Sequence, residues 1–403
     1  MNARYWLVLG LAGHLLLQLR PAWQEVEGNR SGRDFASYYY ALQVATQGGD
    51  PYDTEALEKL AKEERTRKMV HPFFYPPPFL LTMGWAKPLS LATAYRGMLL
   101  LNELLLAGCL WTLYRGFSIG LPWIALLLCF WSPIPDNAWM GQANLLALLP
   151  TLAGLAIARQ RPVAGGVLVG VAGMLKMSPA LFLLHFALRR NWRAVFAGMA
   201  TAVALSLLSL PLVGWEIQLH FYRDVLPGFS TGDYNGLSVP ITLPANHSLP
   251  DLFNRAFPSG GDQLSGTARL LSQLSLVLGL GGWAFWFRPR GAEPPAREAL
   301  AIGALSLLSV VLPVYTYEHH LVFLLLAVAA VGRAATGKIR WIYALTFFFL
   351  AWPLAWLRGA QNMVPMLSVP IRESKFIAEM LLLGLCMYLW KTTEKSGQVN
   401  SIS

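Results

Sequence analysis

Residues 31–53 read SGRDFASYYYALQVATQGGDPYD and follow an apolar run at about 5–21. A run of that length suits a membrane-crossing helix, which needs roughly 20 apolar residues. The stretch then offers an aspartate, Asp34, a segment with helical apolar spacing over 35–47, three consecutive tyrosines and a GGDPYD turn. The spacing predicts a helix lying on the membrane, its aromatics at the interface and Asp34 near its start. A carboxylate there is favourable because free backbone N–H groups point towards it, so helix capping is one reading of Asp34. Chemistry is the other.

The rest of the chain decides what kind of protein surrounds this stretch. Of 403 residues, 55% are apolar and only 13% charged, a profile of a polytopic helical membrane protein. Apolar runs recur at about 5–21, 73–90, 94–113, 119–135, 140–158, 163–187, 193–213, 266–287, 298–316, 320–336, 338–357 and 375–391. The expectation is therefore an all-α polytopic membrane protein, one domain over 1–403, with about twelve spans. A net charge of +10 raises the question of nucleic acid. The cations instead sit in short clusters between apolar runs: Arg189, Arg190 and Arg193; Arg288 and Arg290; Arg333, Lys338 and Arg340; Lys391 and Lys395. That is the cytoplasmic pattern of membrane proteins, and no nucleic-acid partner is expected. Cys109, Cys129 and Cys386 lie within apolar runs and fit no metal or disulfide spacing. The first run lacks a small-residue cleavage site and reads as a retained span.

Two polar segments are long, 22–72 and 214–265, and long loops in such proteins usually carry function. Counting from the basic carboxyl-terminal tail, 392–403, places both on the outer side, with helices over 266–391 between. Twelve spans would put RQRP (159–162) outside as well, against the charge rule. A break in 163–187 near Pro179 would change that parity.

Several polar residues do not suit lipid. Lys176 lies within VAGMLKMSPALFLL, where a lysine faces a cavity or partner more readily than hydrocarbon, unless it snorkels to an interface. Gln142 and Asn144 stand at the mouth of a span, where a helix-end hydrogen bond is the simpler reading. Glu318, His319 and His320 fall between two apolar runs. Adjacent histidines diverge on a helix and chelate poorly; one bonded to a phosphate, or an interface histidine, fits as well. PANHSLPDLFNRAF (244–257) carries Asn246, His247, Ser248, Asp251 and Arg255 in the second loop. No phosphate-binding glycine loop, dinucleotide fingerprint, HExxH, nucleophile elbow or Asp-x-Asp pair occurs.

In order, Asp-Phe-x-x-Tyr-Tyr, Gly-Asp-Pro-Tyr, Tyr-Pro-Pro, GQANLL, GVLVGVAGMLKMSPAL, NHSLPDLFNR and YEHHLVFLLL span about 30–336. This series resembles the integral-membrane glycosyltransferases of the C-type fold, and among them family 87, which includes mannosyltransferases that build phosphatidylinositol mannosides. The resemblance implies a polyprenyl-phosphate sugar as donor, inversion at the anomeric carbon, and a lipid or glycan acceptor. It implies a catalytic aspartate in the first outer loop, here Asp34, and a lysine and a histidine on the donor phosphate, here Lys176 with His319 or His320. Arg33, Tyr38, Tyr39, Tyr75, Gln142, Asn144, Asn246, Arg255 and Glu318 are the remaining substrate-binding candidates, although any one tyrosine fits a plain interface belt equally. Neither a cofactor nor a divalent metal is expected. The sugar would be a hexose or pentose, with mannose favoured, and the setting a bacterial inner membrane with its site facing outward. A transporter or lipid-linked-sugar flippase is the alternative, supported by the intramembrane lysine; no internal repeat between the halves supports it.

Overall fold

The computed structural model describes residues 3–20, 32–237, 239–243, 245–261, 263–289, 291, 293–353 and 368–399. Residues 22–31 of the first loop, Arg290, the side chain of Lys395 and the end of the tail lie outside them. Among the described residues the chain is all-helical, with no strand.

Helix α1 (Ala3–Gly13) continues into a π-helical turn, His14–Leu19. Glycines let it lie close on a later helix: a Cβ at Gly13 would stand 2.3 Å from the sulfur of Cys129. The first long loop folds into α2 (Arg33–Thr46) and α3 (Thr54–Glu63). Asp53 caps α3, accepting from the N–H groups of Glu55 and Ala56. α2 is buried along most of its length, so it belongs to the core and does not float on the membrane surface.

The run at 73–90 is not a span. Pro76, Pro77 and Pro78 remove donors and fix φ, leaving only α4 (Phe79–Thr82) and a 3₁₀ turn, Gly84–Ala86. Their side chains Phe73, Phe79, Leu80, Met83 and Ala86 are fully buried. Next comes α5 (Leu91–Gly116), capped by Ser90, which at 1.5 Å per residue is about 39 Å long. Short helices follow: α6 (Leu121–Phe130), α7 (Pro133–Met140), α8 (Asn144–Ile157), α9 (Pro162–Leu175) and α10 (Phe182–Leu188). α11 (Trp192–His220) bends sharply at Gly214, whose φ of 76° excludes most side chains. Antiparallel contacts close the bend, Ser206 to Tyr222 at 2.9 Å and Ser209 to Gln218 at 3.1 Å. Beyond it lie α12 (Leu226–Gly228), α13 (Leu249–Ala256), α14 (Gly266–Trp286), α15 (Pro295–Val311), a 3₁₀ segment (Glu318–Leu324), α16 (Leu325–Ala334), α17 (Ile339–Ala351) and α18 (Ser368–Val399).

Among the described residues, four helices are long and apolar enough to cross a membrane, within Leu91–Gly116, Trp192–Gly228, Gly266–Trp286 and Arg372–Thr393. The chain is an integral membrane protein. The twelve apolar runs do not become twelve long helices. Several are interrupted, at Gly141–Gln142, at Lys176 and over 312–324. Irregular backbone at membrane depth survives only where protein or a polar cavity surrounds it, and these breaks converge.

Contacts also show which segments share an end of the molecule. Arg159 pairs with Glu298 at 2.6 Å, Arg189 with Glu293, and the Asn191 amide donates to the carbonyl of Ala158 at 3.2 Å. Thus 163–187 is a hairpin, descending again after Lys176, and RQRP lies beside the other basic clusters. Arg333 donates to the carbonyls of Phe117 and Ser118, and Lys391 stands over the Trp286 ring. The opposite end gathers the two long loops: His220 lies 2.9 Å from Asp50, and Asn235 donates to the carbonyls of Tyr52 and Phe73.

Candidate active site

Two left-handed glycines aim the first elements. Gly32 (φ 75°) precedes α2 and donates its N–H to the carbonyl of Trp139 at 2.9 Å. Gly141 (φ 69°) ends α7, and a Cβ there would stand 2.6 Å from that of Phe35. These turns bring Asp34, at the start of α2, against Gln142, just past α7.

Asp34 caps nothing. The residue at the cap position is Gly32, and no side-chain cap bond forms. The carboxylate instead takes the Nδ1 of His71 at 2.9 Å on one oxygen and the Gln142 amide on the other. Its side chain is 16% exposed. Burial alone would raise its pKa. The His71 hydrogen bond, the charges of His319 and His71, and the Gln142 hydrogen bond outweigh that and hold it below the ordinary carboxylate value. The group is therefore ionised at neutral pH while nearly withdrawn from water. Behind it, Tyr38 and Tyr75 donate to Gln142 Oε1 at 3.1 and 3.3 Å, with their own hydroxyls 2.8 Å apart.

A second polar chain runs alongside. Lys176 ends α9 in an extended conformation, so its side chain leaves the helix axis. Its ammonium donates to Asn144 Oδ1 and lies 5.9 Å from the centroid of the Tyr75 ring. Asn144, fully buried, donates in turn to the backbone carbonyl of His319 at 2.9 Å. The His319 ring stands 3.5 Å from Asp136 and packs on His320, centroids 4.3 Å apart. His320 Nδ1 accepts the backbone N–H of Tyr317 at 3.0 Å, so the proton of a neutral ring is on Nε2, free to be donated. Lys176 is close enough to Asp34 for their charges to interact.

The structure thus brings Asp34, Tyr38, Tyr75, Gln142, Asn144, Lys176, His319 and His320 together. It does not bring in the others. Tyr39 donates to the carbonyl of Leu89 at 2.8 Å, pinning α2 to the start of α5. Arg33 is exposed, near Arg67. Asn246 spends its amide on the loop fold, donating to the carbonyls of Ile241 and Val314 and accepting from Thr316 N. Arg255 forms a two-pronged bond to Glu373, at 2.6 and 3.0 Å, and a 2.7 Å pair with Asp251. Glu318 points away into a buried ion pair with Lys375 at 2.7 Å. Apart from the exposed Arg33, each is tied to the scaffold, because a buried polar atom without a partner is costly.

Sequence reasoning passed over His71 and Asp136. His71 heads HPFFYPPPFLL, where prolines and aromatics dominate the reading. Its one available signal was that only seven histidines occur in the chain, and this one precedes a segment too proline-rich to cross a membrane.

Residues 73–313 match the family described as glycosyltransferase family 87. The chain is 29% identical over 233 residues to a polyprenol-phosphate-mannose-dependent alpha-(1-2)-phosphatidylinositol mannoside mannosyltransferase of Mycolicibacterium smegmatis, covering 57% of this chain and 50% of that protein. It is 28% identical over 218 residues to the protein of the same description from Mycobacterium tuberculosis, covering 52% and 47%. A pentamannoside mannosyltransferase of Mycolicibacterium smegmatis is 26% identical over 359 residues, covering 85% and 75%. The matched part of this chain therefore spans about half the length of the first two relatives. No solved structure matches. The family match includes Tyr75, Gln142, Asn144 and Lys176; Asp34, His319 and His320 lie outside its bounds.

Proposed function

The chain belongs to glycosyltransferase family 87, and on that premise we propose that it transfers mannose from a polyprenyl-phosphate donor to a lipid or glycan acceptor, with Asp34 as general base. The observation that carries this reading is the Asp34 carboxylate, fixed on both oxygens and set beside the Lys176–Asn144–His319 chain. The names of the relatives favour mannose as the sugar and a phosphatidylinositol mannoside as the acceptor class.

In this reaction the acceptor hydroxyl oxygen attacks the anomeric carbon while Asp34 takes the hydroxyl proton. The bond from that carbon to the phosphate oxygen breaks, and the electron pair leaves with the polyprenyl phosphate. Attack opposite the leaving group inverts the centre. A phosphate is already a weak base and needs no general acid, only positive charge or donors as its negative charge grows. Lys176 and the Nε2–H of His320 supply these from the protein itself, so the proposal includes no resident metal or other cofactor. His71 and Gln142 fix the base; Tyr38 and Tyr75 hold Gln142 and offer rings to a sugar.

The fold is of the C-type, with about twelve membrane segments counted as short and long pieces together. Its basic face is cytoplasmic, and the two long loops with the site lie on the outer side of a bacterial inner membrane. The polyprenyl tail stays in the bilayer while its phosphate reaches the site.

Purified protein in lipid discs, given polyprenyl-phosphate mannose and a phosphatidylinositol mannoside, should release polyprenyl phosphate and extend the acceptor. A transporter or flippase would move the donor across the bilayer without releasing polyprenyl phosphate, and that outcome would overturn the reading.

A further inference from the structure

Lys375 is the most deeply buried lysine that the proposed chemistry does not use. It lies on α18, outside the family match, and its side chain is 0% exposed. Its ammonium donates to Glu318 Oε1 at 2.7 Å and to the carbonyl of Leu350 at 2.9 Å. Ser132, just before α7, donates to the same Glu318 oxygen at 2.8 Å. Glu379, one turn along α18, is fully buried, and among the described residues neither of its oxygens has a hydrogen-bond partner. The Glu318 carboxylate thus ties its own segment to α18 and to the start of α7, and Lys375 ties α18 on to α17.

Burying such a pair is expensive, and well-packed apolar residues often serve stability as well or better. Its location gives it another use. Glu318 opens the 3₁₀ segment Glu318–Leu324, and 3₁₀ helices of more than about 3–4 residues are uncommon because their hydrogen bonds are poorly aligned. This one has seven residues and needs external anchors. Its second residue is His319, whose carbonyl holds Asn144, which holds Lys176. Its third is His320. Displacing Glu318 displaces every group assigned to the donor phosphate.

We propose that Lys375 is a positioning residue: through Glu318 it fixes the 318–324 turn, and so sets His319, His320 and Lys176 on the donor phosphate. This rests on the functional reading above.

The test is a paired neutral substitution, Lys375→Met with Glu318→Gln, assayed with polyprenyl-phosphate mannose and a phosphatidylinositol mannoside. Removing both charges together avoids stranding either one. The variant should melt close to the parent, yet its donor KM should rise by about tenfold to a hundredfold, the scale of a 1 Å misplacement. Acceptor KM should stay put. Glu318→Gln alone, whose amide oxygen can still accept from Ser132 but which loses the ionic hold of Lys375, should raise donor KM several-fold in the same selective way, and it carries the test if the double variant does not fold. A folded double variant, or a folded Glu318→Gln protein, with the parent's donor KM would overturn the proposal. A parent that transfers no mannose from this donor would instead bring down the functional reading, and the proposal with it.

Discussion

The Nδ1 of His71 lies 2.9 Å from Oδ1 of Asp34, joining the entry of a proline-rich segment to the start of α2. That contact helps hold the carboxyl below its ordinary pKa against the opposing effect of burial. The sign of a pH effect follows. Removing His71 takes away a donor and a charge that favour the ionised form, while burial remains. The Asp34 pKa must then rise, and less of the base is ionised at a given acidic pH. In His71→Ala the acid limb of kcat/KM should move to higher pH, so the loss of activity should be greatest at the acidic end of a profile that starts near the ordinary aspartate value, about pH 4, and should shrink as pH rises. An unshifted acid limb would mean that His71 does not set the state of Asp34.

Sidedness gives a second expectation. Gln160 lies beside the Arg159 cluster and Ser230 in the second long loop; both are exposed. The native cysteines are buried, so introduced ones dominate labelling. An impermeant thiol reagent applied from outside should label Ser230→Cys and not Gln160→Cys, and the reverse should hold for inverted vesicles. Labelling of both from one side would break the proposed topology and the outward-facing site with it.

How much of this was readable beforehand depended on contrast. Lys176, Gln142 and Asn144 stand out as polar residues within apolar runs, and the structure does gather them. Asp34 stood out too, but its cap reading failed because Gly32 occupies the cap position. His14 and Glu103 escaped notice although they pair at 2.8 Å: a single polar residue disappears in the average of a long apolar run. Lys375 opens the run at 375–391, where a lysine at the edge draws no notice. The form of the membrane segments was hidden for a related reason. Hydropathy cannot separate a long helix facing lipid from two short ones buried in protein, and 163–187 is the second kind. Pro179 raised the break, and the contacts of Arg159, Arg189 and Asn191 with Glu298, Glu293 and Ala158 show the hairpin.

The two histidines separate cleanly. In His320→Asn the side-chain oxygen can still accept the Tyr317 N–H, as Nδ1 does now at 3.0 Å, but the reach and donor of Nε2–H are lost. This variant should fold normally and show a raised donor KM with unchanged acceptor KM, as should Lys176→Met. His319→Ala removes the ring beside Asp136 and leaves the carbonyl that holds Asn144 in place, so its effect on donor KM should be smaller. If His320→Asn and Lys176→Met both keep the parent's donor kinetics, these two groups do not bind the phosphate.

Asp34→Asn tests the base itself. The carboxylate accepts from both His71 and Gln142. An asparagine oxygen can still accept from His71, and its amide can donate to Gln142 once that amide turns over, so the local fold has a route to persist. What asparagine cannot do is take a proton from the acceptor hydroxyl. Loss of general-base help alone costs about two to four orders of magnitude in rate. The variant should therefore insert, stay folded and bind polyprenyl-phosphate mannose with near-parent affinity, because Lys176 and His320 hold the phosphate from other elements. Its kcat should fall by that factor. Raising the pH should not recover it, since the variant has no proton to lose at this position, whereas a lesion that merely raised the Asp34 pKa, such as His71→Ala, recovers as pH increases. A purified Asp34→Asn protein turning over at more than about a tenth of the parent rate, well short of that expected loss, would remove Asp34 as the base and return it to a purely architectural role between α2 and α7.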